Sequence, residues 1–184
     1  MSKEKIILGV DPGTTIMGFG HIKVTNKKME FLQMNELLLQ KHKDPYVKLK
    51  LIFERTIELI DTYHPDEMAL EAPFFGVNVQ SMLKLGRAQG VAMAAGLSRQ
   101  IPVTEYAPKK IKMAITGSGN ASKEQVAEML KNLLNLKSLP KNLDATDGLA
   151  AAVCHHFNSG RAQSEKNYGS WSSFVSQNES RIKK

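Results

Sequence analysis

Four acidic residues stand at positions in the sequence where their side chains can converge on one site. Asp11 ends the uncharged run Ile6–Val10 and is followed by Pro-Gly, and Glu71 ends a short apolar segment. Asp144 and Asp147 open a stretch with helical periodicity, and residues three apart lie on one face of a helix. Carboxylates that converge repel each other unless cations lie among them, which favours hard divalent ions such as Mg²⁺, or Mn²⁺ as a substitute.

Oxygen-only sites of this kind are suited to phosphodiester chemistry. Two divalent ions roughly 3.5–4 Å apart can hold the attacking and leaving oxygens of a phosphodiester in line. We expect one ion to activate water and the other to stabilise the departing 3′ oxygen. The simpler alternatives are that Asp11 only bonds its own turn and that Asp144 only caps a helix.

The strand that ends at Asp11 is the element around which the rest of the chain is organised. An apolar run bounded by Pro-Gly predicts a strand buried on both faces, and Pro12 ends it because proline has no N–H for the sheet. Proline followed by Gly13 predicts a type II turn.

Further strands and helices follow from periodicity and turn residues. We predict four more strands, over residues 17–24, 29–39, 67–71 and 101–106, with the first three strands of the chain forming an antiparallel meander. We predict helices over residues 44–63, 78–99, 108–115, 122–136 and 144–157. If the first and fourth strands are parallel neighbours, Asp11 and Glu71 emerge at one edge of the sheet.

Composition and charge limit the classes of function that this protein can have. The 184 residues fit one domain with a substantial core, and the net charge of +7 with a pI near 9.4 indicates a polyanionic partner, unless the protein is merely basic. A single cysteine, Cys154, excludes an internal disulfide. The sequence shows no apolar stretch of membrane-spanning length and no signal-peptide pattern, so we expect a cytoplasmic location.

Specific motifs identify a family. The chain resembles the RuvC-type Holliday junction resolvases over roughly residues 5–157, in the segments Gly9-Val10-Asp11-Pro12-Gly13, Leu70-Glu71, Leu83-Lys84-Leu85-Gly86-Arg87-Ala88-Gln89-Gly90 and Asp144-Ala145-Thr146-Asp147-Gly148-Leu149-Ala150. The resemblance implies an α/β, ribonuclease-H-like fold with a five-stranded mixed sheet and helices on both faces. We expect this nuclease domain to span residues 1–158, followed by a polar, disordered tail at 159–184.

The resemblance also implies an activity and partners. These are a homodimer that resolves four-way junction DNA in recombination and repair by paired symmetric nicks, leaving 5′-phosphate and 3′-hydroxyl ends. It further implies a branch-migration complex of the RuvA/RuvB type as a possible partner. Asp11, Glu71, Asp144 and Asp147 match the catalytic, metal-binding acids of the family.

Three other positions match DNA-binding residues of the family, namely Phe74, Lys112 and Lys123. An aromatic side chain beside a nuclease site can stack on an unpaired base, and lysines bind phosphate as point charges. Phe75 is expected in the core instead, and the neighbouring lysines 109, 110 and 131 have the simpler interpretation of a solvated face.

Small residues recur every four positions in the long helix, at Gly86, Gly90 and Ala94. The resemblance places this helix at a dimer interface, while close packing on the protein's own sheet is the alternative. We expect Cys154 in the core, and His155 could face the far side of the site.

Two other functions compete with the nuclease. A sugar-kinase or actin-like ATPase shares the Asp-x-Gly-Thr-Thr hairpin formed by residues 11–15, but such proteins need two domains of this fold. A scaffold that binds junctions without cutting them would gain nothing from four acids beside phosphates.

Overall fold

The computed structural model describes residues 4–73 and 78–159. The strands are β1 (Glu4–Asp11), β2 (Ile16–Thr25), β3 (Lys28–Leu38), β4 (Glu67–Glu71) and β5 (Val103–Tyr106). The helices are α1 (Pro45–Tyr63), α2 (Val79–Ser98), α3 (Pro108–Thr116), α4 (Lys123–Leu134) and α5 (Asp144–Ser159). Each predicted strand and helix is present, with shifts of a few residues at the ends.

The five strands form one mixed sheet in the order β3-β2-β1-β4-β5. The β1–β2 and β2–β3 pairs are antiparallel, while β4 pairs in parallel with β1 and with β5. The core lies on both faces of the sheet: α1 and α2 cover one face, and α3, α4 and α5 cover the other. The ribonuclease-H-like architecture expected from the resemblance is therefore confirmed.

Local sequence explains where the elements begin and end. Asp44 caps α1 by accepting a hydrogen bond from the Tyr46 N–H at 2.8 Å, with Pro45 at the first helical position. Ser122 and Gln125 form a reciprocal capping box at the start of α4. That helix ends at Leu134, two residues earlier than predicted, because Asn135 adopts a left-handed conformation with φ of 51°.

The turn after β1 differs from the prediction. Gly13 lacks the positive φ that a type II turn requires at its third position, so the type II assignment was wrong. A Cβ at Gly13 would instead overlap the carbonyl oxygen of Ile16. The glycine is needed there because the chain returns within contact distance of itself.

Helix α5 lies directly on the backbone of the first two strands. A Cβ at Gly9, Gly18 or Gly20 would overlap atoms of α5, and a Cβ at Gly148 would approach the backbone of Gly18. The helix therefore lies closer to the sheet than side chains would permit. This approach fixes the start of α5 beside the end of β1.

Candidate active site

The two strand-end acids emerge side by side from the sheet. Val10 pairs with Leu70 in the parallel β1–β4 register, and the next residues on the two strands are Asp11 and Glu71. Val10 and Leu70 point into the core on the α1–α2 side. Because side chains alternate along a strand, Asp11 and Glu71 face the α5 side.

The first turn of α5 brings the remaining acids to the same place. Asp11, Glu71 and Asp147 line one cavity of about 360 Å³ at this edge of the sheet. Asp144 and Asp147 both contact the ammonium group of Lys123, at 3.0 Å and 2.6 Å. The structure thus brings together the four acids that the sequence singled out, from segments far apart in the chain.

Burial and mutual repulsion perturb these carboxyl groups. Burial raises the pKa of Asp11 well above its ordinary value, and the nearby charges of Glu71 and Asp147 add to the effect. The pKa of Glu71 is raised to about 7, first by burial and then by the charge of Asp147. Burial also raises the pKa of Asp147, although Lys123 opposes it. It therefore costs free energy to have all three carboxyl groups charged at once unless a cation lies among them.

The donor set fits a divalent ion by its chemistry, since the groups are carboxylate oxygens held at one edge of the sheet. Within residues 4–73 and 78–159, no three His, Cys, Asp or Glu side chains already form a group arranged to hold an ion. The ammonium group of Lys123 instead lies against Asp144 and Asp147. Two of the acids, Asp144 and Asp147, therefore already bind a cation, and that cation is the ammonium group of Lys123.

The two lysines expected to bind DNA both line the acidic cavity. The Lys112 ammonium donates a hydrogen bond to the Ala121 carbonyl oxygen at 2.7 Å, whereas Lys123 contacts the acids. Of the neighbouring lysines, Lys110 lies over the Tyr106 ring at 5.2 Å and Lys131 lies 3.8 Å from Glu128. Phe74 and Phe75 fall outside the described residues.

Sequence reasoning missed a residue behind Glu71. Gln89 on α2 is buried, and its side-chain amide donates to Glu105 at 2.5 Å and to the Glu71 backbone carbonyl at 3.5 Å. It ties α2 to the ends of β4 and β5. The signal in the sequence that could have indicated this residue was a polar glutamine among the small residues of the helix.

A second cavity, of about 260 Å³, opens on the α1–α2 side near the turn that follows β1. Four basic residues line it: Lys43, Lys48, Lys84 and Arg87. The Lys48 ammonium donates to the Thr14 carbonyl oxygen at 2.8 Å. In the described part of the chain, none of the four cations pairs with a carboxylate.

Other sequence candidates lie away from the acids. Cys154 is fully buried in the core, as expected. His155 does not line the acidic cavity. Its ring contacts the Tyr106 hydroxyl at 2.8 Å and also contacts Glu67, which lies at the opposite end of β4 from Glu71, at 2.5 Å. A Cβ on Gly86 or Gly90 would meet no described atom within 4 Å, so these residues do not pack on the protein's own sheet.

The chain matches known proteins in sequence. Residues 7–155 match the family model described as crossover junction endodeoxyribonuclease RuvC. A relative of that name from Christiangramia forsetii is 75% identical over 183 residues, covering 100% of this chain and 95% of the relative. One from Bacteroides fragilis is 59% identical, covering 98% of this chain and 97% of the relative.

A solved structure described as Thermus thermophilus RuvC in complex with Holliday junction substrate superposes with a TM-score of 0.79. It is 29% identical and covers 86% of this chain and 96% of that chain. These matches decide against the ATPase alternative. The chain belongs to the RuvC family of crossover junction endodeoxyribonucleases.

Proposed function

We propose that this protein is a metal-dependent endodeoxyribonuclease that resolves four-way DNA junctions in recombination and repair. It acts by paired symmetric nicks that leave 5′-phosphate and 3′-hydroxyl ends. The observation that carries the proposal is the meeting of Asp11, Glu71 and Asp147 in one cavity, with Asp144 beside Asp147. Family membership supplies the DNA junction as substrate.

The four acids would hold two Mg²⁺ ions, with Mn²⁺ as a substitute. When bound, the ions supply activation of water and stabilisation of the leaving 3′ oxygen. The apolar groups of Ile111, Val126 and Ala150 form part of the cavity wall. Lys112 and Lys123 bind the phosphates next to the cleaved bond.

DNA binding would extend beyond the acidic cavity. Lys43, Lys48, Lys84 and Arg87 offer cations to the sugar-phosphate backbone on the α1–α2 side. Phe74 would stack on an unpaired base at the junction centre, as the resemblance implies. These contacts position the duplex arms without reading their sequence.

Two symmetric nicks require two active sites, so the active form would be a homodimer. The stripe of half-buried Gly86 and exposed Gly90 and Ala94 on α2 would let a second backbone approach closely, since a Cβ on either glycine would meet no described atom within 4 Å. Exposed Leu83 and Leu97 extend this surface.

We further propose a nuclease domain at residues 1–158 with a polar tail at 159–184, a cytoplasmic location, and a RuvA/RuvB-type branch-migration complex as partner. None of the described helices combines the length and the apolar character needed to cross a bilayer.

The test is cleavage of a synthetic four-way junction compared with a linear duplex of the same sequence. We expect Mg²⁺-dependent nicking of the junction alone, and loss of nicking in Asp11→Asn protein that still binds the junction. Salt-sensitive binding without nicking would support the scaffold function instead.

A further inference from the structure

Lys123 differs from Lys112, the other lysine of the acidic cavity, in what its ammonium group contacts. It is the first residue of α4, and its ammonium lies 3.0 Å from Asp144 Oδ1 and 2.6 Å from Asp147 Oδ2. Its own side chain is 52% exposed, whereas those of the two aspartates are 28% and 15% exposed. One ammonium charge that is partly in solvent thus offsets part of the charge of two carboxylates that are largely removed from solvent.

The placement is fixed by the local structure. The capping box of Ser122 and Gln125 sets the start of α4, and with it the Cα of Lys123. The positive charge is also sensed deeper in the cavity, where Lys123 opposes the effect of burial on the pKa of Asp11 and Glu71. Lys123 is therefore coupled electrostatically to the whole acidic group.

Lys112 provides a contrast within the same cavity. Its ammonium is engaged by the Ala121 carbonyl oxygen at 2.7 Å rather than by an acid. Both lysines carry the same charge, but only Lys123 is in contact with the candidate ligands.

We propose that Lys123 is an internal counter-ion that takes the cation position between Asp144 and Asp147 when no divalent ion is bound, so that loading these two acids with metal requires Lys123 to move away. This proposal rests on the proposed metal-dependent function. It gives Lys123 a positioning role in the free protein, before any phosphate is present.

The physical basis is competition for the same oxygens. An ammonium that donates to Asp144 Oδ1 and Asp147 Oδ2 uses lone pairs that a divalent ion would need. The lysine stem is flexible, so it can withdraw without movement of α4. The cost of withdrawal appears as weaker metal binding, since an ion must displace the ammonium to bind.

The test is Mn²⁺ binding to the full chain without DNA, followed by the paramagnetic resonance signal of free Mn²⁺. Lys123→Met keeps the apolar stem and removes the charge, and we expect its Mn²⁺ affinity to rise roughly tenfold, which corresponds to about 1.4 kcal/mol. Lys112→Met makes the same change in net charge in the same cavity, and we expect at most about a twofold rise. Lys123→Arg retains a carboxylate-binding cation and should bind Mn²⁺ like the wild type.

Thermal unfolding supplies a second readout. In EDTA, Lys123→Met should unfold at a lower temperature than wild type, because the acids lose their counter-ion, and added Mg²⁺ should stabilise it more than wild type. Equal Mn²⁺ affinities for Lys123→Met and Lys112→Met, or a Lys123→Arg protein that binds as tightly as Lys123→Met, would overturn the role of Lys123 and leave the nuclease proposal intact. Absence of Mn²⁺ binding by wild type and all variants would overturn both.

Discussion

At the scale of single residues, the acids of the site are buried close enough to repel each other, and this raises their pKa values. The pKa of Glu71 is raised to about 7, first by burial and then by Asp147. In the unfolded chain this carboxyl titrates near its ordinary value of 4.5. Between about pH 4.5 and pH 7, Glu71 therefore keeps its proton in the folded protein, whereas the unfolded chain has released it.

The metal-free protein should therefore lose stability as pH rises. A raised pKa in the folded state contributes stability below pH 4.5 that is lost as pH rises through about 7. With about 1.4 kcal/mol for each pKa unit, the Glu71 contribution is roughly 3 kcal/mol. In EDTA, Glu71→Gln should gain stability relative to wild type between pH 5 and pH 8 in urea denaturation. In Mg²⁺, the same variant should nick the junction more than about 100-fold more slowly than wild type, because a proposed metal ligand is lost.

A matched control lies at the other end of the same strand. Contacts with Lys5 and His155 outweigh burial and lower the pKa of Glu67, so Glu67→Gln should lose stability relative to wild type at pH 8. If Glu71→Gln were no more stable than wild type in EDTA at pH 8, the burial of that acid would not have the cost described.

At the scale of elements, the site depends on how closely α5 approaches the sheet. Gly20 lies under the backbone of Leu149, and even a methyl group there would overlap it. We expect Gly20→Ala to destabilise the protein by about 3 kcal/mol, near the upper end for overpacking, which lowers Tm by roughly 6–12 °C. Differential scanning calorimetry measures this directly.

Gly119→Ala is the control for this effect, because a methyl group there would come no closer than 3.4 Å to Lys109. Its Tm should stay within about 2 °C of wild type, in keeping with the small effect of most surface substitutions. A Gly20→Ala protein with unchanged Tm would show that α5 can move away from the sheet freely.

The elements also show how far sequence reasoning reaches. The run that ends at Asp11 and the caps Asp44 and Ser122 are local signals, so strand and helix positions were predictable from them. Glycines at alternate positions of β2, Gly18 and Gly20, carried information on α5 packing, but a strand pattern does not reveal which helix covers which face.

At the site itself, the acids were predictable because each stands at the end of an element. The hydrogen-bond and ion-pair partners of flexible polar side chains were not predictable. Contact of Lys123 with Asp147, and of Gln89 with Glu105, depends on tertiary distances that no local pattern encodes. The turn at Gly13 was mispredicted because a glycine can be required either for a positive φ or for close approach of two backbone segments, and the sequence does not tell these apart. At Gly13 the reason is close approach to Ile16.

At the scale of the whole molecule, the proposed dimerisation can be tested separately from folding. A Cβ at Gly90 would have no described atom within 4 Å outside the adjacent backbone of its own helix, and replacing glycine would improve helix propensity. We expect Gly90→Gln to keep or raise Tm but to shift sedimentation at micromolar concentration toward the 20.4 kDa monomer. Lys50→Gln on α1 should remain dimeric, and a dimeric Gly90→Gln protein would exclude this stripe from the interface.

The distribution of charge over the molecule predicts how binding depends on salt. Each phosphate contact contributes about 0.9 to the slope of log K against log salt concentration. Lys84→Gln removes a cation from the α1–α2 cavity, so junction binding measured by anisotropy should lose roughly one unit of slope. Lys50→Gln, which removes a lysine 3.6 Å from Glu54, should keep the slope, and identical slopes for both variants would place the DNA elsewhere.

In the proposed mechanism, acids from distant parts of the chain act together on one phosphodiester. Mapping of cut positions on a movable-core four-way junction tests it most directly, with wild type and Asp147→Asn in Mg²⁺ and in EDTA. We predict symmetric nicks on two opposing strands, with 5′-phosphate ends, that vanish in EDTA and in Asp147→Asn protein that still binds the junction. Nicks that persist at the wild-type rate in Asp147→Asn, or without a divalent ion, would contradict it.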